Sequence, residues 1–277
     1  MVNAEIIVKG YEVKDSIKRS QCSHVYSALK EGREYVIKTG VDSSRISKKL
    51  ISNETDILKI LGNKSSNIVE YVEDFEVEDE RFIVFEKIIG KDADDFEFGD
   101  EKTRIIFGLY VIDQVCNPLR YMHKRIHPYK DNRSSIAHGD ISPKNIIVTK
   151  DYEVKLIDFA LADFCTIPKM FDDEFDCSNP GYTSPERFDS NITTRESDIF
   201  ALGGCLFSLI TGKDPFRYKN EDFEDVVKRI KKENPSPRKH NKSISRSLES
   251  LIKACIDKNP RKRPTINKLK RGILSLL

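Results

Sequence analysis

A short stretch of the chain, HGDISPKNIIV at residues 138–148, places an aspartate and an asparagine five positions apart on a loop that ends in three β-branched residues. This spacing suits phosphoryl transfer, because the carboxylate of Asp140 can face a substrate hydroxyl while the amide oxygen of Asn145 holds a metal ion. Two classes of enzyme use such a loop, one acting on proteins and the other on small molecules. The stretch therefore predicts a reaction type and leaves the acceptor open.

Two more residues complete a set that could handle a nucleoside triphosphate. Lys38 ends the strand-like stretch YVIK, and Asp158 lies in LIDFA, residues 156–160. Transfer of a γ-phosphoryl group needs a cation for the α- and β-phosphates, carboxylate and amide ligands for Mg²⁺, and a carboxylate near the hydroxyl. Together with the loop, these two residues can fill all four roles.

The composition bounds the kinds of partner. A chain of 277 residues can form one large domain or two lobes that share a cleft. Its 47 basic and 45 acidic residues give a net charge of +2, which argues against a nucleic-acid or membrane partner. The stretch MVNAEIIVKGYEVKD is too polar for a signal peptide, and six scattered cysteines without a CxxC pair suggest neither a zinc site nor disulfides. We therefore expect a cytoplasmic protein and a monomer.

The elements that must position these residues fall into two groups. Up to about residue 88 the chain is strand-like, interrupted by one helical segment, SSRISKKLISNETDILKIL at residues 43–61. Its apolar positions recur at helical spacing: Ile46, Leu50, Ile51, Ile57, Leu58 and Leu61. Glu54 lies on the same stripe, and a carboxylate that faces a core needs a partner.

After residue 90 the pattern changes to five helical segments. The predicted fold class is therefore α+β with two lobes. A small β-rich N-lobe with one main helix covers about residues 1–88, and a hinge follows at about 86–90. A larger α-helical C-lobe covers residues 91–277.

Three further motifs resemble those of eukaryotic-type protein kinases, and the resemblance runs from about residue 11 to the C-terminus. GYTSPERF at 181–188 resembles the APE motif, SDIFALGG at 197–204 resembles the buried helix αF, and NPRKRPT at 259–265 carries an arginine typical of the family. Small-molecule phosphotransferases lack these three motifs. The resemblance implies that Asp198 anchors the catalytic-loop backbone and that Arg263 forms a buried ion pair with Glu186.

The resemblance also implies roles for the residues of the site. It makes Asp140 and Lys38 the catalytic residues, with Glu54 as the helix partner of Lys38, and it makes Asn145 and Asp158 the metal ligands. The cofactors implied are ATP and Mg²⁺, with Mn²⁺ as an alternative. The ATP-binding residues implied are Ser20, Ser23, Val25, Lys38, Glu54, Glu86, Ile88, Asn145 and Asp158.

The loop over the phosphates departs from the family pattern. Lys18, Ser20 and Ser23 stand where the family has glycines, so the backbone amides approach phosphate less freely. In the catalytic loop, Ser142 replaces a lysine that marks serine/threonine kinases. The replacements at Lys18, Ser20 and Ser23 predict altered or weaker ATP binding, whereas Ser142 bears on the choice of acceptor hydroxyl.

Two departures concern the segment that regulates many kinases. Ala160 replaces the glycine of the DFG motif, and Gly139 replaces an arginine of the catalytic loop. That arginine pairs with a phosphorylated activation segment in the family. We therefore predict activity that does not depend on phosphorylation in the segment from Leu161 to Thr183.

These features predict a protein kinase that transfers the γ-phosphoryl group of Mg·ATP to serine or threonine hydroxyls of proteins. The acidic run KDADDFEFGDE at 91–101 indicates either a solvated surface or a preference for substrates with a basic residue near the acceptor.

Two alternative functions stay open. The missing glycines favour a scaffold without turnover, whereas the four retained polar residues argue against it. HGD and Ser142 suggest a small-molecule phosphotransferase, but the three kinase motifs argue against it.

The remaining polar features carry less chemistry. The basic segment KRIHPYKDNRSS at 124–135 predicts a surface loop. His123, His127 and His240 have no carboxylate or cysteine at metal-ligand spacing, so we assign them no ligand role. His138 is expected to pack behind the DFA segment.

Overall fold

The computed structural model describes residues 6–42, 44–130, 132–165, 180–190, 192–218 and 221–277. The strands of the N-terminal part are β1 (Ile6–Val8), β2 (Tyr11–Arg19), β3 (Ser23–Lys30), β4 (Arg33–Gly40), β5 (Tyr71–Val77) and β6 (Glu80–Glu86). They form one antiparallel sheet in the order β1-β2-β3-β4-β6-β5. This sheet carries Lys38 on a central strand.

The turns of this sheet are of two kinds. Three hairpins close through two-residue turns with positive φ at both central residues, namely Lys9–Gly10, Glu31–Gly32 and Glu78–Asp79. Such turns match the twist of antiparallel strands. The β2–β3 hairpin differs, because Arg19 pairs with His24 across four intervening residues. That longer connection is the loop that resembles a phosphate loop.

Helix α1 (Arg45–Leu61) packs against β4, β5 and β6. It begins after Ser44, whose hydroxyl accepts a hydrogen bond from the amide of Ser47 and so caps the helix. The predicted stripe is buried from Leu50 to Leu61, but Ile46, in the first turn, is 40% exposed. The stripe turns Glu54 toward the interior.

The C-terminal part is mainly helical. Its helices are α2 (Glu101–Met122), α3 (Pro185–Ser190), α4 (Arg195–Thr211), α5 (Phe223–Lys232), α6 (Arg246–Cys255) and α7 (Ile266–Leu274). Its short strands are β7 (Gly90–Asp92), β8 (His127–Tyr129), β9 (Asn132–Ser134), β10 (Ile136–Ala137), β11 (Ile146–Thr149), β12 (Val154–Leu156) and β13 (Asp163–Phe164). Helix α4 is buried along most of its length and packs against α2 and α6. None of the helices within the described ranges is long and apolar enough to cross a membrane.

The two parts are joined by a short crossing. Strand β6 ends at Glu86, and β7 begins at Gly90 and pairs with β11. A second link lies before β5, where the amide of Leu156 donates to Asn67 O at 2.8 Å and the amide of Val69 donates to Leu156 O at 3.0 Å. The predicted α+β fold with two lobes is confirmed, with the crossing at residues 87–89.

The basic segment at 124–135 is not a plain loop. Strands β8 and β9 form a hairpin in which His127 pairs with Ser134, and both side chains are buried. The ring nitrogen Nε2 of His127 lies 3.1 Å from Tyr121 O, and burial lowers the pKa of this histidine. The segment is therefore a surface hairpin rather than an irregular loop, and the two-residue alternation of its strands turns one side chain of each inward.

Candidate active site

A buried carboxylate of α4 holds the backbone of the catalytic loop through hydrogen bonds. Asp198 is almost fully buried, and its two oxygens accept hydrogen bonds from the amides of His138 at 2.9 Å and Gly139 at 3.0 Å. The ring of His123 adds a third contact, with Nε2 at 2.9 Å from Asp198 Oδ2. The expected anchoring role of Asp198 is thus present. Sequence reasoning missed the partner role of His123, since 75 residues separate the pair.

Asp140 and Asn145 face each other across the turn that follows the loop. A short 3₁₀ turn at Pro143–Asn145 brings Asn145 back, so that its Nδ2 donates to Asp140 O and to Asp140 Oδ2, both at 2.8 Å. The nitrogen of the amide is thereby used, and the amide oxygen is the atom that can ligate a cation. Burial and the nearby charge of Asp158 raise the pKa of Asp140 to about 7.

Lys38 lies between two carboxylates. Its Nζ is 2.7 Å from Glu54 Oε2 and 2.8 Å from Asp158 Oδ1, and its side chain is 8% exposed. Burial opposes the charged form of Lys38, but the two carboxylates outweigh it and hold its pKa above the usual value. Burial likewise opposes the charge of Asp158, whose pKa is nevertheless held low by Lys38. Lys38 therefore stabilises the ionised form of Asp158, whereas burial and the charge of Asp158 raise the pKa of Glu54.

The segment Asp158–Ala162 is held against α1. Phe159 is buried, its amide donates to Glu54 Oε1 at 2.9 Å, and its ring packs on His138 with centroids 4.6 Å apart. The side chain of Asn53 donates to Ala160 O at 2.9 Å and to Ala162 O at 2.8 Å. Sequence reasoning missed Asn53, because its partners are backbone carbonyls.

The backbone of this segment has one unusual residue. Asp158 has a φ of 64°, in the left-handed region that aspartate adopts more readily than most residues. Ala160, which stands in place of a glycine, does not have a positive φ and packs against Leu50 and Leu161. The alanine is therefore compatible with this conformation.

The loop between β2 and β3 is closed by its own serines. The hydroxyl of Ser20 accepts hydrogen bonds from the amides of Cys22 at 3.2 Å and Ser23 at 2.9 Å. The amide of Ser20 in turn donates to Ser23 O at 2.9 Å. Two amides that a phosphate could use are thus bound to a side chain in this conformation.

These elements enclose a cavity of about 620 Å³ between the lobes. Seven predicted site residues line it, namely Ser20, Ser23, Val25, Lys38, Asp140, Asn145 and Asp158. The other three do not. Glu54 is 1% exposed behind Lys38, so it acts through that lysine rather than on a ligand. Ile88 lies on the crossing between the lobes, and Glu86 ends β6 with its carboxylate 2.7 Å from Lys155 Nζ.

A cation near the catalytic loop comes from an unexpected position. Arg187 of α3 is buried, and its Nη1 donates to Gly139 O. Gly139 has a φ of 81°, and a β-carbon there would lie 2.5 Å from Leu161 O. A glycine thus fits this tight backbone, and the guanidinium of Arg187 approaches the loop where the family has its own arginine. Sequence reasoning missed Arg187.

The end of the GYTSPERF stretch is tied to the C-terminal helices. Arg263 binds Glu186 through two contacts, Nη1 to Oε1 at 2.6 Å and Nη2 to Oε2 at 2.8 Å. Burial works against the ionised carboxylate, but the hydrogen bonds and charge of Arg263 keep the pKa of Glu186 below its usual range. The predicted ion pair is confirmed.

Comparison with known proteins agrees with this geometry. Residues 11–272 match the protein kinase domain model. The chain therefore belongs to the protein kinase domain family, as the sequence motifs indicated.

Several curated relatives are serine/threonine-protein kinases. The chain is 32% identical to Nek1 of Mus musculus over 90% of its own length and 20% of that protein. It is 27% identical to serine/threonine-protein kinase A of Synechocystis over 78% of its length and 42% of the relative, and 28% identical to PrkC of Bacillus subtilis over 70% and 28% respectively. The chain thus spans less than half of each of these three relatives.

Proposed function

We propose that this chain transfers the γ-phosphoryl group of ATP, bound with Mg²⁺, to serine or threonine hydroxyls of proteins. The observation that carries the proposal is the convergence of Lys38, Asp140, Asn145 and Asp158 on one cavity, with Lys38 paired to Glu54 of α1 at 2.7 Å. In a kinase this ion pair belongs to the arrangement that permits turnover.

The oxygen atoms near the cavity fit a hard divalent cation. Asp158 offers a carboxylate whose side chain is 30% exposed, and Asn145 offers its amide oxygen. Mg²⁺ supplies neutralisation of phosphate charge when bound. Lys38 binds the α- and β-phosphates in this proposal, Val25 covers the base, and the main chain around Glu86 and Ile88 contacts the adenine edge.

Asp140 orients the acceptor in the proposed reaction. The hydroxyl oxygen attacks the γ-phosphorus, the bond from that phosphorus to the β–γ bridging oxygen breaks, and ADP leaves. The hydroxyl proton passes to the carboxylate of Asp140. Asn145 holds that carboxylate through the hydrogen bond to Oδ2, so the base is already positioned before the acceptor arrives.

The serine/threonine preference rests on the relatives named above, all of which are serine/threonine-protein kinases. We extend the proposal to a basic residue near the acceptor. Burial and mutual repulsion with Asp95 raise the pKa of both Asp92 and Asp94, which indicates crowded negative charge after the crossing. A peptide array without enrichment of arginine or lysine near the acceptor would remove this part.

A cytoplasmic monomer completes the proposal. The five described cysteines are free thiols, which fits a reducing compartment. Size-exclusion chromatography with light scattering tests the oligomeric state, and a dimer mass would contradict it. Cell fractionation tests the compartment.

The experiment that tests the function is transfer of labelled γ-phosphate from ATP, with Mg²⁺ or Mn²⁺, to the protein itself and to a generic basic protein. We expect label on serine or threonine with the wild type, and none with Asp140→Asn or Lys38→Met. Transfer to small alcohols in place of proteins would support a small-molecule phosphotransferase.

A scaffold without turnover is the second candidate, and one observation favours it. The hydroxyl of Ser20 occupies two amides of the loop that would otherwise face phosphate. If the wild type is as inactive as both variants while each remains folded, the scaffold function replaces the proposed one.

A further inference from the structure

Four cations line the cavity, namely Lys18, Lys38, Lys144 and Arg217. Lys144 is the contribution of the catalytic loop, whose Ser142 is uncharged. Lys38 is held between two carboxylates, which offset its charge. A triphosphate accumulates negative charge at its terminal phosphate during transfer, and some donor must meet that charge.

Lys18 is placed to meet it. It lies on β2 directly opposite Val25 of β3, at the end of the strand pair that leads into the serine-closed loop. Its side chain is exposed and lines the same cavity as Asp140, Ser142 and Asp158. Within the described residues, Lys18 has no ion-pair partner within 4.0 Å. Its ammonium group is therefore available to a ligand.

Two other cations of the lining, Lys144 and Arg217, are less suitable. Both also line a second cavity that contains Phe96 and Phe98, so they lie toward the C-terminal side of the cleft.

We propose that the ammonium group of Lys18 binds the terminal phosphate of ATP and supplies the positive charge that Ser142 lacks. This inference rests on the proposed function, because it requires ATP as the phosphoryl donor. It assigns a role to a residue that stands where a glycine is expected, and it makes the β2–β3 hairpin a source of charge as well as a cover.

The test is the ratio of the dissociation constants for Mg·ADP and Mg·ATP, measured by calorimetry. ADP lacks the terminal phosphate, so it reports general damage to the cavity and ATP reports the added contact. We expect Lys18→Met to lower the ratio by about five- to tenfold, the size expected for one partly solvated charge contact. Lys18→Arg keeps the charge and should keep the ratio near that of the wild type.

Lys14→Met is the matched control. Lys14 is an exposed lysine of the same strand that pairs with Glu12 at 2.8 Å and is not part of the cavity lining. It should leave the ratio unchanged. Thermal unfolding of each variant establishes that the chain remains folded.

Three results would overturn the inference. They are an unchanged ratio in Lys18→Met, an equal loss in Lys14→Met, and an equal loss in Lys18→Arg, which would indicate loop geometry rather than charge. If the wild type transfers phosphate and any of these is found, the inference fails alone. If the wild type binds neither nucleotide, the proposed function fails and the inference fails with it.

Discussion

Replacement of Arg263 by methionine should destabilise the fold strongly. The side chain of Arg263 is fully buried, and its guanidinium makes two contacts with Glu186. The same group donates from Nε to Asp257 O and from Nη1 to Glu196 O, each at 2.8 Å. One side chain therefore satisfies a carboxylate and two backbone carbonyls from three separate segments.

The size of the effect follows from what the substitution leaves behind. Removing one partner of a buried ion pair costs about 3–5 kcal/mol, because the other charge stays buried without compensation. The Glu186 side chain is 23% exposed, so some water reaches it, and we expect about 3 kcal/mol. Glu186→Gln leaves the guanidinium with its carbonyl partners and should cost about 1–2 kcal/mol.

A surface ion pair provides the matched control. Arg81 binds Glu76 at 2.8 Å with side chains 29% and 61% exposed. Arg81→Met removes the same chemical group from a solvated setting and should cost less than about 1 kcal/mol. Urea unfolding of the three variants and the wild type at neutral pH measures these free energies.

The pH dependence is the sharper part of the test. Arg263 holds the pKa of Glu186 below its usual range in the folded state. The stabilisation is therefore present above the unfolded pKa, about 4.3, and is lost as the pH falls through the lower folded value. The difference between wild type and Arg263→Met should narrow in acid. A cost below that of Arg81→Met, or a difference independent of pH down to about pH 3, would refute the reasoning.

Three other outcomes are expected. Glu54→Gln removes one of the two carboxylates at Lys38 and should lower the initial rate of phosphoryl transfer roughly tenfold or more, and an unchanged rate would contradict the positioning role. Gly139→Ala should lower the free energy of unfolding by about 2 kcal/mol, because it adds a contact with Leu161 O to the strain at φ 81°. Gly32→Ala, at φ 76° in open space, should lower it by only about 1 kcal/mol. Equal losses in the two variants would exclude the contact. Phosphatase-treated protein should retain its rate of phosphoryl transfer, because Gly139 offers no guanidinium to a phosphorylated activation segment. Residues 166–179 of that segment lie outside the described part of the chain. Recovery of activity only on rephosphorylation would contradict this prediction.

The frame of the site could be predicted from the sequence because its contacts join residues whose types demand partners. A glutamate on an apolar helix stripe needs a cation, and Lys38 of a neighbouring strand provides it. An aspartate at the start of a buried helix and an arginine in a polar turn likewise need partners, and the structure pairs them with the catalytic loop and with Glu186. Residue type indicated that Glu54 needed a partner, and the resemblance to protein kinases implied which residues these contacts join.

Other contacts could not be predicted, because they end on backbone atoms or on distant side chains. Asn53 donates to the carbonyls of Ala160 and Ala162, and Arg187 donates to that of Gly139. A backbone carbonyl is present at every residue, so it leaves no pattern in the sequence that identifies the donor. The inward face of the hairpin at 127–134 was missed for a related reason, since three-residue strands give too short an alternation to recognise.

The energetics of the site favour turnover over a scaffold. Burying Lys38 beside Glu54 and Asp158 requires desolvation of three charges, and it adds little that well-packed apolar side chains could not supply. The left-handed backbone at Asp158 adds strain of about 1 kcal/mol or more, which persists only where surrounding contacts impose it. Both features aim a carboxylate and a cation into the cavity, and neither is needed for two lobes to pack. The positions at which the sequence departs from the family pattern, Lys18 and Ser20, lie instead on the face that a phosphate would touch. Replacing glycine by lysine and serine at these positions changes how ATP is held. The carboxylate of Asp140, which faces the acceptor hydroxyl, stays in place.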